Sequence, residues 1–139
     1  MSFNKIRVSL SVTRILSLIK GKTGLTPNII CRMALCLSIS DPSLPSSKIT
    51  DSSGQEFSRF TLLGEMDSFF ISILKERLMK DKLNPESDLL NQFRAHLERG
   101  IHMIHSRIKD LTDVYDLIPY QNNNHNQQEK KDFQSKKID

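Results

Sequence analysis

No acidic side chain occurs in residues 1–40, where Lys5, Arg7, Arg14, Lys20, Lys22 and Arg32 stand unopposed until Asp41. The remaining 99 residues hold 14 basic against 16 acidic groups, so the net charge of +4 conceals a +6 segment followed by one of −2. That segregation excludes an evenly mixed surface and bears on partners rather than on fold. Cysteine is scarce. Cys31 and Cys36 lie in one apolar run, turned about 140° from each other on a helix. This excludes a Cys-x-x-Cys pair and a secreted disulfide framework, leaving two buried, reduced thiols as the expectation. Long apolar runs are also missing. The longest, Ile29 to Ile39, contains Arg32 and Ser38 and falls short of the ~20 residues that span a bilayer. The opening MSFNKIRVSLSVTR has no signal-peptide core or cleavage site, so a soluble, cytoplasmic protein with no membrane attachment is expected.

What is present fits one small domain. A chain of 139 residues with 37% hydrophobic content buries roughly two thirds of its unfolded surface and folds alone only marginally unless it oligomerises. It is too short for a large cleft between two domains, which favours a binding module or subunit.

Lys5-Ile6-Arg7-Val8-Ser9-Leu10 alternates polar and apolar as a half-buried strand does. Ser11 is a candidate helix cap, followed by Val12, Ile15, Leu16 and Ile19 on one helical face. Gly21 and Gly24 end that helix in a turn. Thr26 then precedes Pro27 as a helix start, and the helix to about Ile39 is apolar on nearly every side, so it is expected to be buried all round. Asp41-Pro42 stops it, and the Ser- and Pro-rich stretch 41–55 reads as a loop. Glu56 to Leu62 suggests a short strand or extended arm. Glu65 to Lys82 reads as a helix, with Met66, Phe69, Phe70, Ile73, Leu74 and Leu78 as its stripe. Asn84-Pro85 predicts the start of a long final helix, with a bundle-like seam of Leu90, Phe93, Leu97, Ile101, Ile104, Ile108 and Leu111. The expected fold is mainly α: an N-terminal extended segment, two helices in ribbon-helix-helix order, then two longer helices packing as a bundle, in an oligomer. One domain over 1–118 precedes a polar tail at 119–139, rich in Asn, Gln and Lys, that cannot bury enough surface to order itself.

Catalytic motifs are weak. Gly21-Lys22-Thr23 lacks the upstream glycine of a phosphate loop, since position 16 is Leu. Ser17-Leu-Ile-Lys20 matches an acylating spacing with none of its companion motifs. Glu98, His102 and His105 share a helix face and could approach a metal, but Arg99 and Arg107 oppose a cation, and a solvated or interfacial role is the better reading. His96 is read as a helix-surface residue. No enzyme activity, catalytic residue, metal or cofactor is expected.

The basic front end carries the functional expectation. In a ribbon-helix-helix module two chains pair their strands and lay the ribbon on DNA, while the second helix points its amide-rich N-terminus at a phosphate. The alternative is that the strand pairs within the monomer. Aromatics are absent from the basic block apart from Phe3, which favours backbone contact with duplex over base stacking on single strands. Candidate DNA contacts are Lys5, Arg7, Arg14, Lys20 and Lys22 by charge, with Thr26 and Asn28 at the helix start. Arg32, inside the apolar helix, is assigned to an internal ion pair.

The run KGKTGLTPNIICRMALCLSISDPSLP, Lys20 to Pro45, resembles the signature region of the DNA sulfur modification protein DndE family. Its matching positions are Thr23, Gly24, Asn28, Cys31, Arg32, Ala34, Leu37 and Asp41-Pro42. Gly64-Glu65 before a helix, and His-Leu-x-Arg-Gly-Ile at His96 to Ile101, are similar too. The likeness spans roughly residues 10–117 and leaves out the Lys5–Leu10 segment and the polar tail. It implies the small subunit of a phosphorothioation system, in which sulfur replaces a non-bridging phosphate oxygen of DNA. It further implies a helical oligomer, expected as a tetramer, that binds double-stranded DNA, with nicked duplex a candidate preferred form. Catalysis would belong to the other DNA sulfur modification proteins, its expected partners. Two rival readings are a scaffold that docks those proteins with incidental DNA affinity, and a sulfur relay through Cys31 or Cys36.

Overall fold

The computed structural model describes residues 3–46, 51–109 and 113. Strand β1 (Lys5–Arg7) leads into helices α1 (Leu10–Thr23) and α2 (Pro27–Ser40). Strand β2 (Glu56–Ser58), the short helix α3 (Arg59–Leu63) and a 3-10 turn at Gly64–Met66 follow. Helices α4 (Asp67–Lys80) and α5 (Leu89–Arg107) complete the described fold. The expected polar tail at 119–139 lies outside the described residues, as does Leu111.

β1 finds its partner inside the chain. It pairs antiparallel with β2 in the register Lys5 to Ser58, Ile6 to Phe57 and Arg7 to Glu56. Ile6 and Phe57 therefore point together into the core, and the oppositely charged Arg7 and Glu56 face each other at 3.6 Å. Backbone bonds extend the pairing on both sides, from Val8 N–H to the Gln55 carbonyl and from Arg59 N–H to that of Asn4. The strand–helix–helix order is as expected, but this pairing replaces the intersubunit ribbon: the weak alternation at Glu56 to Ser58 supplies a matching inward face.

α2 lies against α5 in the most extensive helix pairing among the described residues. Ile30, Cys31, Ala34, Leu35 and Ser38 of α2 are buried. They meet a broad face of α5 that includes Phe93, His96, Leu97, Gly100, Ile101 and Ile104. Gly100 makes the crossing possible, because a Cβ there would overlap the backbone of Ala34. Contrary to expectation, α2 is not buried all round: Ile29 and Cys36 are exposed and Met33 is half-buried. α5, α3 and α1 pack against it and leave open the strip that carries Ile29 and Cys36.

Other boundaries also differ. Ser9, not Ser11, caps α1, its Oγ accepting from Val12 N–H at 3.3 Å. α4 starts at Asp67 after the 3-10 turn and is no longer than α1 or α2. α5 starts at Leu89 rather than Pro85, because Asn84 Oδ1 accepts from the amides of Glu86 and Ser87 and closes a separate turn first. Leu89 is buried there while the expected seam residue Leu90 is exposed. No helix among the described residues is long and apolar enough to cross a membrane.

Candidate nucleic-acid interface

The stripe that fixes α1 also decides which of its side chains are free. Val12, Leu16, Ile19 and Thr23 are buried, so Arg14, Lys20 and Lys22 fan across the outward half of the helix, all exposed. With no acid in its own first turn, α1 draws on distant ones. Glu98 Oε1 accepts from Ser9 N–H at 2.9 Å, and Asp51 Oδ1 accepts from Leu10 N–H at 3.0 Å. These carboxylates complement the positive end of the helix dipole, while Lys20 and Lys22 lie at its negative end and pair with no acidic side chain among the described residues.

The α1–α2 turn is tightly specified. Gly24 adopts φ 73° and donates its N–H to the Lys20 carbonyl, a left-handed helix stop that favours glycine. Thr23 Oγ1 donates to the Ile19 carbonyl at 2.8 Å and accepts from Leu25 N–H. Thr26 caps α2 by backbone geometry with Pro27 behind it, yet its hydroxyl makes no capping bond. Thr26 is exposed and Asn28 half-buried. Lys20, Lys22, Thr26 and Asn28 are thus gathered around one turn. Arg14 lies further back on the outward face of α1, and Lys5 is exposed on β1, a different element. Arg7 is engaged, paired with Glu56 and donating to the Gly54 carbonyl at 3.3 Å.

Ion pairing separates the two parts of the chain. Arg59 with Asp67, Arg77 with Asp81, Lys75 with Glu86, Lys80 with Glu76 and Arg99 with Asp41 all lie within 4.0 Å. Within residues 1–40 only Arg7 has an acidic partner among the described residues. Lys5, Arg14, Lys20 and Lys22 have none, so their charge is available to an outside anion.

The other candidate chemistries fare differently. Glu98 is committed to Ser9, and among the described residues no three His, Cys, Asp or Glu side chains are placed to hold a metal ion. A cleft of about 290 Å³ beside them is lined by Ser9, Ser11, Ser46, Ala95, Glu98, Arg99 and His102. Burial pushes the Cys31 thiol up to about 12, and Cys36, exposed against expectation, is also raised by burial. Both shifts oppose the thiolate that a sulfur relay needs. His96, expected on the surface, is fully buried and bonded to Ser38. Among the described residues Arg32 makes no ion pair and donates to the Leu62 carbonyl instead. Sequence reasoning missed this because a backbone acceptor leaves no compositional signal.

The family model for DNA sulphur modification protein DndE matches residues 5–111, most of the chain and nearly all of the described fold. The chain belongs to the DndE family. It is similar to the crystal structure of DndE from Escherichia coli B7A, described as involved in DNA phosphorothioation modification. That likeness has 28% identity and a TM-score of 0.61, covering 75% of this chain and 99% of that one. A DndE variant with glycine-to-lysine changes, likewise described as involved in DNA phosphorothioation, is 25% identical with a TM-score of 0.60 and the same coverage. No curated protein matches the chain. DndE membership places the chain in a family involved in DNA phosphorothioation, and the matched region begins at β1, so the extended segment belongs to the shared fold.

Proposed function

We propose that this chain is a non-catalytic, cytoplasmic subunit of the phosphorothioation system that holds duplex DNA by its backbone, nicked duplex included. The observation that carries the reading is the set of cations on α1 with no acidic partner among the described residues, every acid of the chain lying beyond residue 40. Lys20 and Lys22 form its centre, Arg14 extends it along α1, and Thr26 and Asn28 add neutral contacts. Lys5 and Arg7 contribute from β1, Arg7 only by exchanging Glu56 for a phosphate. The chain acts as a homo-oligomer, a tetramer in this reading, which multiplies a modest charge per copy. The exposed Ile29 and Cys36 on α2, with the half-buried Met33 between them, supply a surface for that assembly. The other DNA sulfur modification proteins are its partners, and it needs no cofactor.

The test is fluorescence anisotropy with intact duplex, nicked duplex and single strand of equal length across a salt series. Duplex binding should weaken with salt at a slope of about −0.9 per phosphate contacted. Lys20→Glu with Lys22→Glu should cost at least about tenfold and remove about 1.8 from the slope. Failure of every duplex form to bind at low salt refutes the reading.

The scaffold alternative has its own support. Phe60, Met66, Phe69 and Met79 are exposed on α3, the 3-10 turn and α4, elements whose cations, Arg59, Lys75, Arg77 and Lys80, all have acidic partners. On that reading the Lys20 and Lys22 reversals leave partner complexes and modification intact.

A further inference from the structure

Arg32 lies half-buried on the flank of α2. Its Nε donates to the Leu62 carbonyl at 2.7 Å, one of the acceptors that the short α3 leaves without an intrahelical donor. The guanidinium also lies across Gly64, where a Cβ would come within 2.9 Å of Nη2. The missing side chain at position 64 lets the planar group rest against the backbone. One nitrogen is therefore anchored and the plane is set. Nη1 and Nη2 find no acceptor among the described residues, and neither is a buried atom sealed from solvent. Glu65, which follows Gly64 in the chain, is exposed and makes no ion pair with Arg32.

Two free donors held in a fixed plane suit a bidentate oxyanion better than any monodentate partner. Position decides which oxyanion. Arg32 follows Asn28 by one helical turn, about 6 Å further along α2 and about 40° around it. Lys20, Lys22, Thr26, Asn28 and Arg32 thus run in order from the end of α1, over the turn and onto α2. A second copy docking through its own acid-free α1–α2 face would bring no carboxylate to this fork.

We propose that Arg32 is a pre-oriented ligand for a DNA backbone phosphate, extending the contact surface from the α1–α2 turn along α2. This deepens the DNA reading above and rests on it. Arg32 contributes a fixed fork where Lys20 and Lys22 contribute mobile point charges.

The experiment titrates intact duplex across a salt series with wild type, Arg32→Met, Arg32→Lys and the Lys20→Glu, Lys22→Glu double variant. Oligomer mass is measured by light scattering on the same samples. Arg32→Met should bind about five- to tenfold more weakly and lose about 0.9 from the salt slope. Arg32→Lys should lose a similar affinity while keeping the slope, because the charge stays and the fork goes. Wild-type affinity and slope in Arg32→Met, alongside weakened binding by the double variant, would sink the proposal and leave the DNA reading standing. No duplex binding by wild type refutes both. A change of oligomer mass in Arg32→Met that accounts for the lost affinity assigns Arg32 to a contact between copies and overturns the proposal. Should Arg32→Met fail to fold without its Leu62 bond, Arg32→Lys decides: unchanged affinity there overturns it.

Discussion

His96 is fully buried, and its Nδ1 lies 2.8 Å from Ser38 Oγ. The same hydroxyl accepts from Arg99 Nε at 2.8 Å. A serine oxygen carries two lone pairs and one proton, so Ser38 Oγ serves the Arg99 guanidinium and the His96 ring together. Nε2 has no partner. Burial first, then the nearby Arg77 and Arg99 charges, holds the imidazole down to about 4, with Asp81 opposing them. The folded state therefore refuses a proton that the unfolded chain accepts. Stability should fall as pH drops below about 6.5 and go on falling to about 4, by about 3 kcal/mol between pH 7 and 4. Urea denaturation across that range measures it, and His96→Gln should flatten the slope; an unchanged slope assigns the effect elsewhere. Asp41 and Asp51, held low by hydrogen bonds from Ser43 and from Ser53 and Leu10 respectively, lose their contribution only at lower pH, as their own depressed values are reached. The burial of His96 was not legible in sequence. A periodic seam through Phe93, Leu97 and Ile101 marks one face of α5, whereas the helix buries Gln92, Ala95 and His96 as well.

At the scale of elements, the α2–α5 crossing sets the architecture. A glycine inside a helix ordinarily costs ~1 kcal/mol relative to alanine, so the rule of propensity favours Gly100→Ala. Here the added methyl meets the Ala34 backbone, and overpacking of this kind costs ~1–3 kcal/mol or more. Gly100→Ala should therefore destabilise, seen as a lower urea midpoint; a raised midpoint would refute this account of the crossing. The far end of α2 has no basic residue in its last turn. Two arginines from other helices take that role. Arg77 donates to the carbonyls of Ile39, Asp41 and Ser43, and Arg99 to those of Ser38 and Ser43. The family-like positions Ala34, Asp41, His96, Arg99 and Gly100 thus gather in one junction, and sequence spacing alone assigned none of them a partner. Local punctuation was more legible: the Gly24 stop, the Thr26-Pro27 start and the Asp41 end of α2 all stand where the sequence placed them, because each rests on the backbone preferences of a few adjacent residues.

For the whole molecule, the outward face of α2 is the feature a single chain leaves open. Ile29 is 42% exposed, beside Cys36 and the half-buried Met33. If copies assemble through this face, Ile29→Glu with Met33→Glu should reduce the light-scattering mass to that of one chain. DNA affinity should fall in step, since each copy brings its own cations. An unchanged mass would move assembly to another surface. What the sequence by itself determined is the broad strand–helix–helix order, the end of α1 at Gly24, the limits of α2 at Thr26-Pro27 and Asp41, and an acid-free basic segment, because these follow from side-chain type, short-range spacing and backbone preference. What only the tertiary structure decided is which distant groups meet: β1 with β2, Glu98 and Asp51 with the start of α1, and the Leu62 carbonyl with Arg32. Those pairings depend on closing long loops around one shared core, where the packing of every element at once selects the partner.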